Sequence, residues 1–189
     1  MSEQRALWLT RIASVDPARL IFLDETAVKT TMTRPYGRAR RGQRAVDEVP
    51  CGRWHTTTLI GAITLQGACA AMLIEGATDS AVFETYVERV LVPELRPGMI
   101  VVLDNLSPHK STRVAQLIER AGAQLWPLPP YSPDFNPIEL MWSKLKTLLR
   151  AAKARNEEDL FEATARALER ITPSDAGAWF RHCFVSTIC

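Results

Sequence analysis

The stretch GMIVVLDNLSPHKSTRVAQLIERAGAQLWPL, Gly98–Leu128, decides the fold. It opens on a fully apolar run that stops at Asp104, the pattern of a strand covered on both faces. A helical segment follows. Ser107 is placed to cap its start, Pro108 falls in its first turn and Gly122 comes just after its end. The stretch closes on AQLWPL, another short buried strand. Two strands joined through a helix run parallel.

Working outward, ARLIFLDET (Ala18–Thr26) repeats the theme: an apolar strand from Leu20 to Leu23 that ends at Asp24. HTTTLIGAITL and ACAAMLIEG are β-prone runs joined around Gln66–Gly67, which predicts a hairpin. TDSAVFETYVERVLVPEL places Val82, Phe83, Tyr86, Val87 and Val90 at helical spacing, with Thr78 or Asp79 as its cap. Beyond Leu128 come a helix from Pro137 to about Ala154, a second in NEEDLFEATARALERI, and a short last one in TPSDAGAWFRHCF with Pro173 in its first turn. The order predicts an α/β domain: a mixed sheet with flanking helices and parallel central strands. Residues 1–19 read as a lead-in, 20–155 as the core and 156–189 as a helical extension of the same domain.

With 189 residues the chain can bury a sizeable core, and 47% hydrophobic with 23% charged residues is ordinary for a globular protein. No apolar run reaches the roughly 18 residues of a membrane helix, and the N-terminus lacks the layout of a signal peptide. A cytoplasmic location with no membrane partner is expected. Cys51, Cys69, Cys183 and Cys189 are scattered without a C-x-x-C pair, which argues against structural zinc and for reduced, partly buried thiols.

The net charge of +2 conceals two basic segments. RPYGRARRGQR holds Arg34, Arg38, Arg40, Arg41 and Arg44 with no acid among them, and Lys144, Lys146, Arg150, Lys153 and Arg155 form a second set. Any one such residue is most often just a solvated cation. Two segments flanking candidate catalytic acids suggest a polyanion.

Asp24 and Asp104 each stand where an apolar strand stops, the end at which α/β sheets bind ligands. Such aspartates also commonly begin turns. The third acid follows WPLPPYSPDFNP, in which Pro127, Pro129, Pro130, Pro133 and Pro137 fall within eleven residues. Asn136 fits the N-cap, Pro137 the first helical position and Glu139 the third. A capping box, with Glu139 folded back on the Asn136 N–H, would account for the glutamate but not for the prolines, which fix φ and stiffen the lead-in. Rigid delivery of a carboxylate suits a metal site. If the three acids converge, each pair repels by roughly 4 kcal/mol at 4 Å and a dielectric near 20, so protons or cations must offset the charge. All-oxygen ligands favour Mg²⁺ or Mn²⁺, and two such ions suit phosphoryl transfer. Steps of 3.6 from Glu139 pass near Trp142 and Ser143, then Lys146, Arg150 and Lys153, a stripe suited to a phosphate backbone. Met141, Leu145, Leu148 and Leu149 form the face expected to pack on the sheet.

FLDET, VVLDNLSPHK and LPPYSPDFNPIELMWSKLK resemble the catalytic domain of bacterial insertion-sequence transposases related to the mariner superfamily. TMTRPYGRARRGQ and TPSDAGAWFRHC resemble flanking parts of the same domain, and 34 residues separate Asp104 from Glu139, a spacing typical of one branch. The resemblance implies a ribonuclease H-like (retroviral-integrase-like) fold and a DDE triad of Asp24, Asp104 and Glu139 as catalytic and metal-holding residues. Glu25, Asn105, His109 and Asn136 would be supporting residues, and Asp134 a turn residue. It implies two Mg²⁺ (or Mn²⁺) ions, cleavage of DNA at transposon ends by water, and attack of the freed 3′-hydroxyl on target DNA. Arg38, Arg40, Arg41, Lys146, Arg150 and Lys153 are the candidate DNA contacts. A homodimer is expected. Residues 1–19 are too few for the helix-turn-helix domain of such enzymes, so that half is expected to be encoded separately or lost. Another ribonuclease H-like nuclease and a silent DNA-binding remnant are the alternative readings.

Overall fold

The computed structural model describes residues 2–48, 56–104 and 111–185. Among them a five-stranded sheet forms the centre: β1 (Leu20–Lys29), β2 (Thr56–Thr64), β3 (Gly67–Glu75), β4 (Ile100–Leu103) and β5 (Gln124–Pro127), in the order β3-β2-β1-β4-β5. β1 runs antiparallel to β2 and parallel to β4, and β4 runs parallel to β5. The β2–β3 hairpin predicted around Gln66–Gly67 is present; its turn is Leu65–Gln66, and Gly67 already pairs with Thr64 as the first residue of β3.

Six helices accompany the sheet among the described residues: α1 (Ser2–Ala13), α2 (Ser80–Tyr86), α3 (Thr112–Arg120), α4 (Pro137–Ala152), α5 (Glu157–Glu169) and α6 (Pro173–Val185). Strand alternation divides the core in two. Leu20 and Phe22 face one side with Leu59 and Ile63, under Ile138, Met141, Leu145, Leu160 and Phe180. Ile21 and Leu23 face the other side with Ile60, under Phe83, Tyr86, Val114 and Ile118.

Four elements depart from the sequence reading. β1 does not end at Asp24 but continues to Lys29, because Thr26 and Val28 alternate inward and pair with β2. Its parallel pairing with β4, however, stops at Leu23↔Leu103. Residues 2–13 are a helix rather than a plain lead-in, and Trp8 and Ile12, four apart, enter the core. α3 starts at Thr112 with Ser111 as cap, its Oγ accepting from the Arg113 N–H at 3.2 Å. The Ser107 and Pro108 assignments lie outside the described residues. The predicted single helix after Asp79 is α2, capped by Asp79 accepting from Val82 N–H at 2.8 Å, continued by a π-helical turn (Val87–Leu91) and a 3₁₀ turn (Val92–Glu94). Pro93, which has no N–H to donate, lies in that last turn.

Candidate active site

Two strands and one helix start deliver the three acids. Because the parallel ladder ends at Leu23↔Leu103, Asp24 and Asp104 follow side by side at the carboxyl end of the two central strands. The extra Leu128 N–H to Leu103 carbonyl bond, 2.8 Å, carries the ladder one residue beyond β5 and into the proline segment. That segment tightens into a 3₁₀ turn at Pro133–Phe135, with Phe135 fully buried, and hands over to α4. Asp24, Asp104 and Glu139 line one cavity of about 360 Å³, walled by Leu128, Pro129, Pro130, Tyr131 and Pro133 and closed by Asn136.

The capping-box account of Glu139 does not apply. Asn136 occupies the N-cap position but makes no side-chain cap bond, and its own N–H donates to the Pro133 carbonyl at 3.0 Å. Glu139 is exposed, on the cavity side of the first helical turn. The Asn136 Oδ1 is buried and has no hydrogen-bond partner among the described residues, although a buried acceptor ordinarily has one.

Asp24 sits in a strongly perturbing environment. Burial pushes its carboxyl up to about 7; the Glu25 backbone N–H pulls it down, the nearby Glu139 pushes it up, the Trp142 indole pulls it down and Asp104 pushes it up. The contributions of Glu139 and Asp104 place both acids within electrostatic reach of Asp24. Trp142, one turn along α4 from Glu139, donates its indole N–H to Asp24 Oδ2 at 3.1 Å. Gly61, the cross-strand partner of Asp24, makes room for it: a Cβ there would lie 3.1 Å from the Trp142 ring. The sequence puts Trp142 near the Glu139 stripe without marking a role for it; its i, i+3 spacing from Glu139 is the available signal.

No group of three His, Cys, Asp or Glu side chains among the described residues is already gathered as a bound metal would gather them. The acids ring a cavity rather than closing a cage. The donor set nonetheless fits a hard divalent cation: three carboxylates and the residue Asn136 border one cavity, and burial with like-charged neighbours raises one of those carboxyls to about 7, a cost that a cation would relieve.

The remaining site candidates fall in different places. Glu25 lies on the opposite face of β1 from Asp24, where its charge is felt by Tyr86. Asn105 and His109 lie outside the described residues. Asp134 does sit in the turn before α4, and it pairs with Arg5 at 2.6 Å. Arg38, Arg40 and Arg41 are exposed on an irregular segment. Lys146 and Arg150 are half-buried on α4, whereas Lys153 lies past its end in a left-handed conformation (φ 52°) and pairs with Asp47. That pair brings the end of the arginine segment to the end of α4 and holds the Asp47 carboxyl below its usual range. The Cys69 and Cys183 thiols are both pushed up to about 12 by burial. Cys51 and Cys189 lie outside the described residues. No helix among the described residues is long and apolar enough to cross a membrane.

A mixed five-stranded sheet with helices on both faces and acids at the carboxyl end of its central strands defines a ribonuclease H-like domain. Residues 19–161 match the DDE superfamily endonuclease family, and the chain belongs to that family. It is similar to the Tcb1 transposase of Caenorhabditis briggsae, 32% identical over 102 residues, which cover 52% of this chain and 37% of that protein. The Tc1 transposase of Caenorhabditis elegans is 30% identical over 93 residues, covering 49% of this chain and 34% of that protein. The chain thus spans between 34% and 37% of the length of these curated relatives. Among solved structures, the Mos1 transposase paired-end complex with the left transposon end superposes with a TM-score of 0.77 at 17% identity, over 97% of this chain and 60% of that one. The catalytic domain of the Mos1 mariner transposase gives 0.64 at 17% identity, over 97% and 90%.

Proposed function

We propose that the chain is the catalytic part of a DDE transposase of the insertion-sequence branch, cutting DNA at transposon ends and joining the freed 3′-hydroxyl to target DNA. One observation carries the reading: Asp24, Asp104 and Glu139, from two parallel strands and a proline-delivered helix, share one cavity. Two Mg²⁺ or Mn²⁺ ions are expected with DNA bound, held by those three acids. Mos1 paired-end complexes solved with Mn and with Mg support the choice of metal. Divalent cations there would supply Lewis acidity for phosphoryl transfer.

The chain's own residues do the rest. Asp24 gives up its proton as positive charge enters the cavity, and the Trp142 indole keeps Oδ2 in place while it does so. Asn136 borders the same cavity beside the proline wall, so its amide could turn towards the metal-holding acids. Arg38, Arg40 and Arg41, with Lys146 and Arg150, hold DNA phosphates. Lys153 joins them only by leaving Asp47. Asn105 and His109 support the site from the segment after β4. The protein works as a homodimer in the cytoplasm, with end recognition supplied by a helix-turn-helix unit outside these residues or on a separate polypeptide.

The test is Mn²⁺-dependent strand cleavage of a plasmid carrying the parent element's ends, with and without such a polypeptide. Cleavage at the ends by wild type, lost in folded Asp24→Asn, Asp104→Asn and Glu139→Gln, is the expected result. Full activity in any one of these variants would remove that acid from the site. Cleavage of RNA–DNA hybrids but not of ends would point to a different nuclease, and DNA binding without any cleavage to a silent remnant.

A further inference from the structure

The loop that delivers Glu139 is less self-sufficient than its prolines suggest. Proline fixes φ but leaves ψ free, and Tyr131, at the exposed apex, stands at φ 55°. That left-handed conformation is uncommon for a residue other than glycine, and it persists only where its surroundings hold it. The restraint on the following turn comes from 127 to 129 positions away in sequence, from α1.

Arg5 of α1 spans that turn. Its Nη1 donates to Ser132 Oγ at 2.8 Å and to Asp134 Oδ1 at 3.0 Å, and its Nη2 donates to Asp134 Oδ2 at 2.6 Å. The guanidinium carbon lies 4.1 Å from the centre of the Phe135 ring. One planar group therefore grips three of the four residues between the loop apex and Asn136. Asp134 holds the Arg5 pKa above its ordinary value, and Arg5 holds Asp134 below its own, the hydrogen bond between them being the main cause. Further along α1, Arg11 lies 3.4 Å over the Trp126 ring, and Trp8 meets the same ring edge-on at 6.1 Å. The helix is thus fixed to both ends of the proline segment, at Trp126 and at Phe135. A lone exposed ion pair contributes little. A two-pronged fork that is also hydrogen-bonded and stacked sets orientation as well as distance.

We propose that α1 is a splint for the active site and that Arg5 is a positioning residue: it orients the Ser132–Phe135 turn and, through it, Asn136 and Glu139. The splint lies outside residues 19–161, the part that matches the family. It deepens the reading of Asp24, Asp104 and Glu139 as metal-holding acids and rests on it.

The experiment measures Mn²⁺ affinity by calorimetry on folded protein without DNA, so that no turnover enters the result. Wild type is expected to bind Mn²⁺ and Asp104→Asn to lose that binding. Arg5→Ala and Asp134→Ala should each weaken binding by about 10-fold or more, the scale on which second-layer partners of metal ligands act. The double variant should be no weaker than the worse single one, because both remove the same clasp. Arg5→Lys should not restore affinity, since an ammonium keeps the charge but not the fork. If Arg5→Ala fails to fold, Asp134→Ala and Arg5→Lys carry the test. Asp104-dependent binding that is unchanged in the folded Arg5 and Asp134 variants, or additive losses in the double variant, would overturn the splint alone. Absence of Asp104-dependent binding in wild type would overturn the metal-site reading and the splint with it.

Discussion

Replacing Asp24 by Asn should make the metal-free protein more stable at pH 8, although it removes one of the three acids proposed to hold metal. Burial holds the Asp24 carboxyl at about 7 against an ordinary 3.8, with Glu139 and Asp104 adding to the effect. Because the folded-state pKa is raised, the native protein keeps a proton that the unfolded chain has already lost. Stability is therefore fully present below pH 4, falls as pH rises from about 4 to about 7, and levels off above that. The gap between the two pKa values corresponds to roughly 4 kcal/mol, and partial solvation of the site brings the expected gain to about 2–4 kcal/mol. The amide is nearly isosteric with the carboxyl and its oxygen can still accept the Trp142 N–H. Urea unfolding in EDTA at pH 4 and pH 8 measures the difference for both proteins. The Asn variant should lead at pH 8 and lose most of that lead at pH 4. A variant no more stable than wild type at pH 8, or a lead independent of pH, would refute the account of a buried, mutually repelling acid cluster. Mn²⁺ should narrow that lead: at 100 times its Kd it stabilises a binding protein by about 2.7 kcal/mol, and the Asn variant should gain far less.

Replacing Arg38, Arg40 and Arg41 together by Ala should reduce the slope of log K against log salt for duplex DNA by up to about 2.7, if each contacts one phosphate; an unchanged slope would exclude direct contact. Gly67→Ala should destabilise by more than about 1 kcal/mol in urea unfolding, because Gly67 stands at φ +114° and a Cβ there would lie 2.7 Å from the Ile171 carbonyl oxygen. Lys144, 2.6 Å from Asp175, together with Thr172 lowers that carboxyl to about 2. Its contribution is present above about pH 4 and lost as pH falls towards 2, so Tm should drop across that window in wild type and drop less in Lys144→Met.

Much of this architecture could be read from local pattern. The apolar runs at Leu20–Leu23 and Ile100–Leu103 give two parallel strands because both faces are covered, and the β2–β3 hairpin follows from the glycine, Gly67, that ends its turn. Long-range contacts were not legible. α1 is not legible locally because its apolar residues Leu7, Trp8, Leu9 and Ile12 do not form one clean helical stripe, Leu7 staying exposed, and the receiving surface, Trp126, lies far along the chain. β1 was cut short because Asp24 and Glu25 interrupt its apolar run, while the pairing that continues it belongs to β2. The Trp142 contact needs Gly61 across the sheet and Asp24 beside it, a three-body arrangement no window of sequence contains.

The grip of Trp142 on Asp24 also divides the chain into spacings that can drift and one that cannot. The stretch between Asp104 and Pro137 runs through a helix, a strand and irregular connections, so a residue gained or lost in a connection away from the Ser132–Phe135 turn that Arg5 clasps can be absorbed before α4 begins. Between Glu139 and Trp142 there is only helix, where each added residue turns everything beyond it by about 100°. One insertion there would swing the indole off Asp24 or the carboxylate out of the cavity. The 34-residue gap that marks the motif to a reader is therefore the tolerant interval, and the short step from Glu139 to Trp142 is the one an engineer must leave untouched.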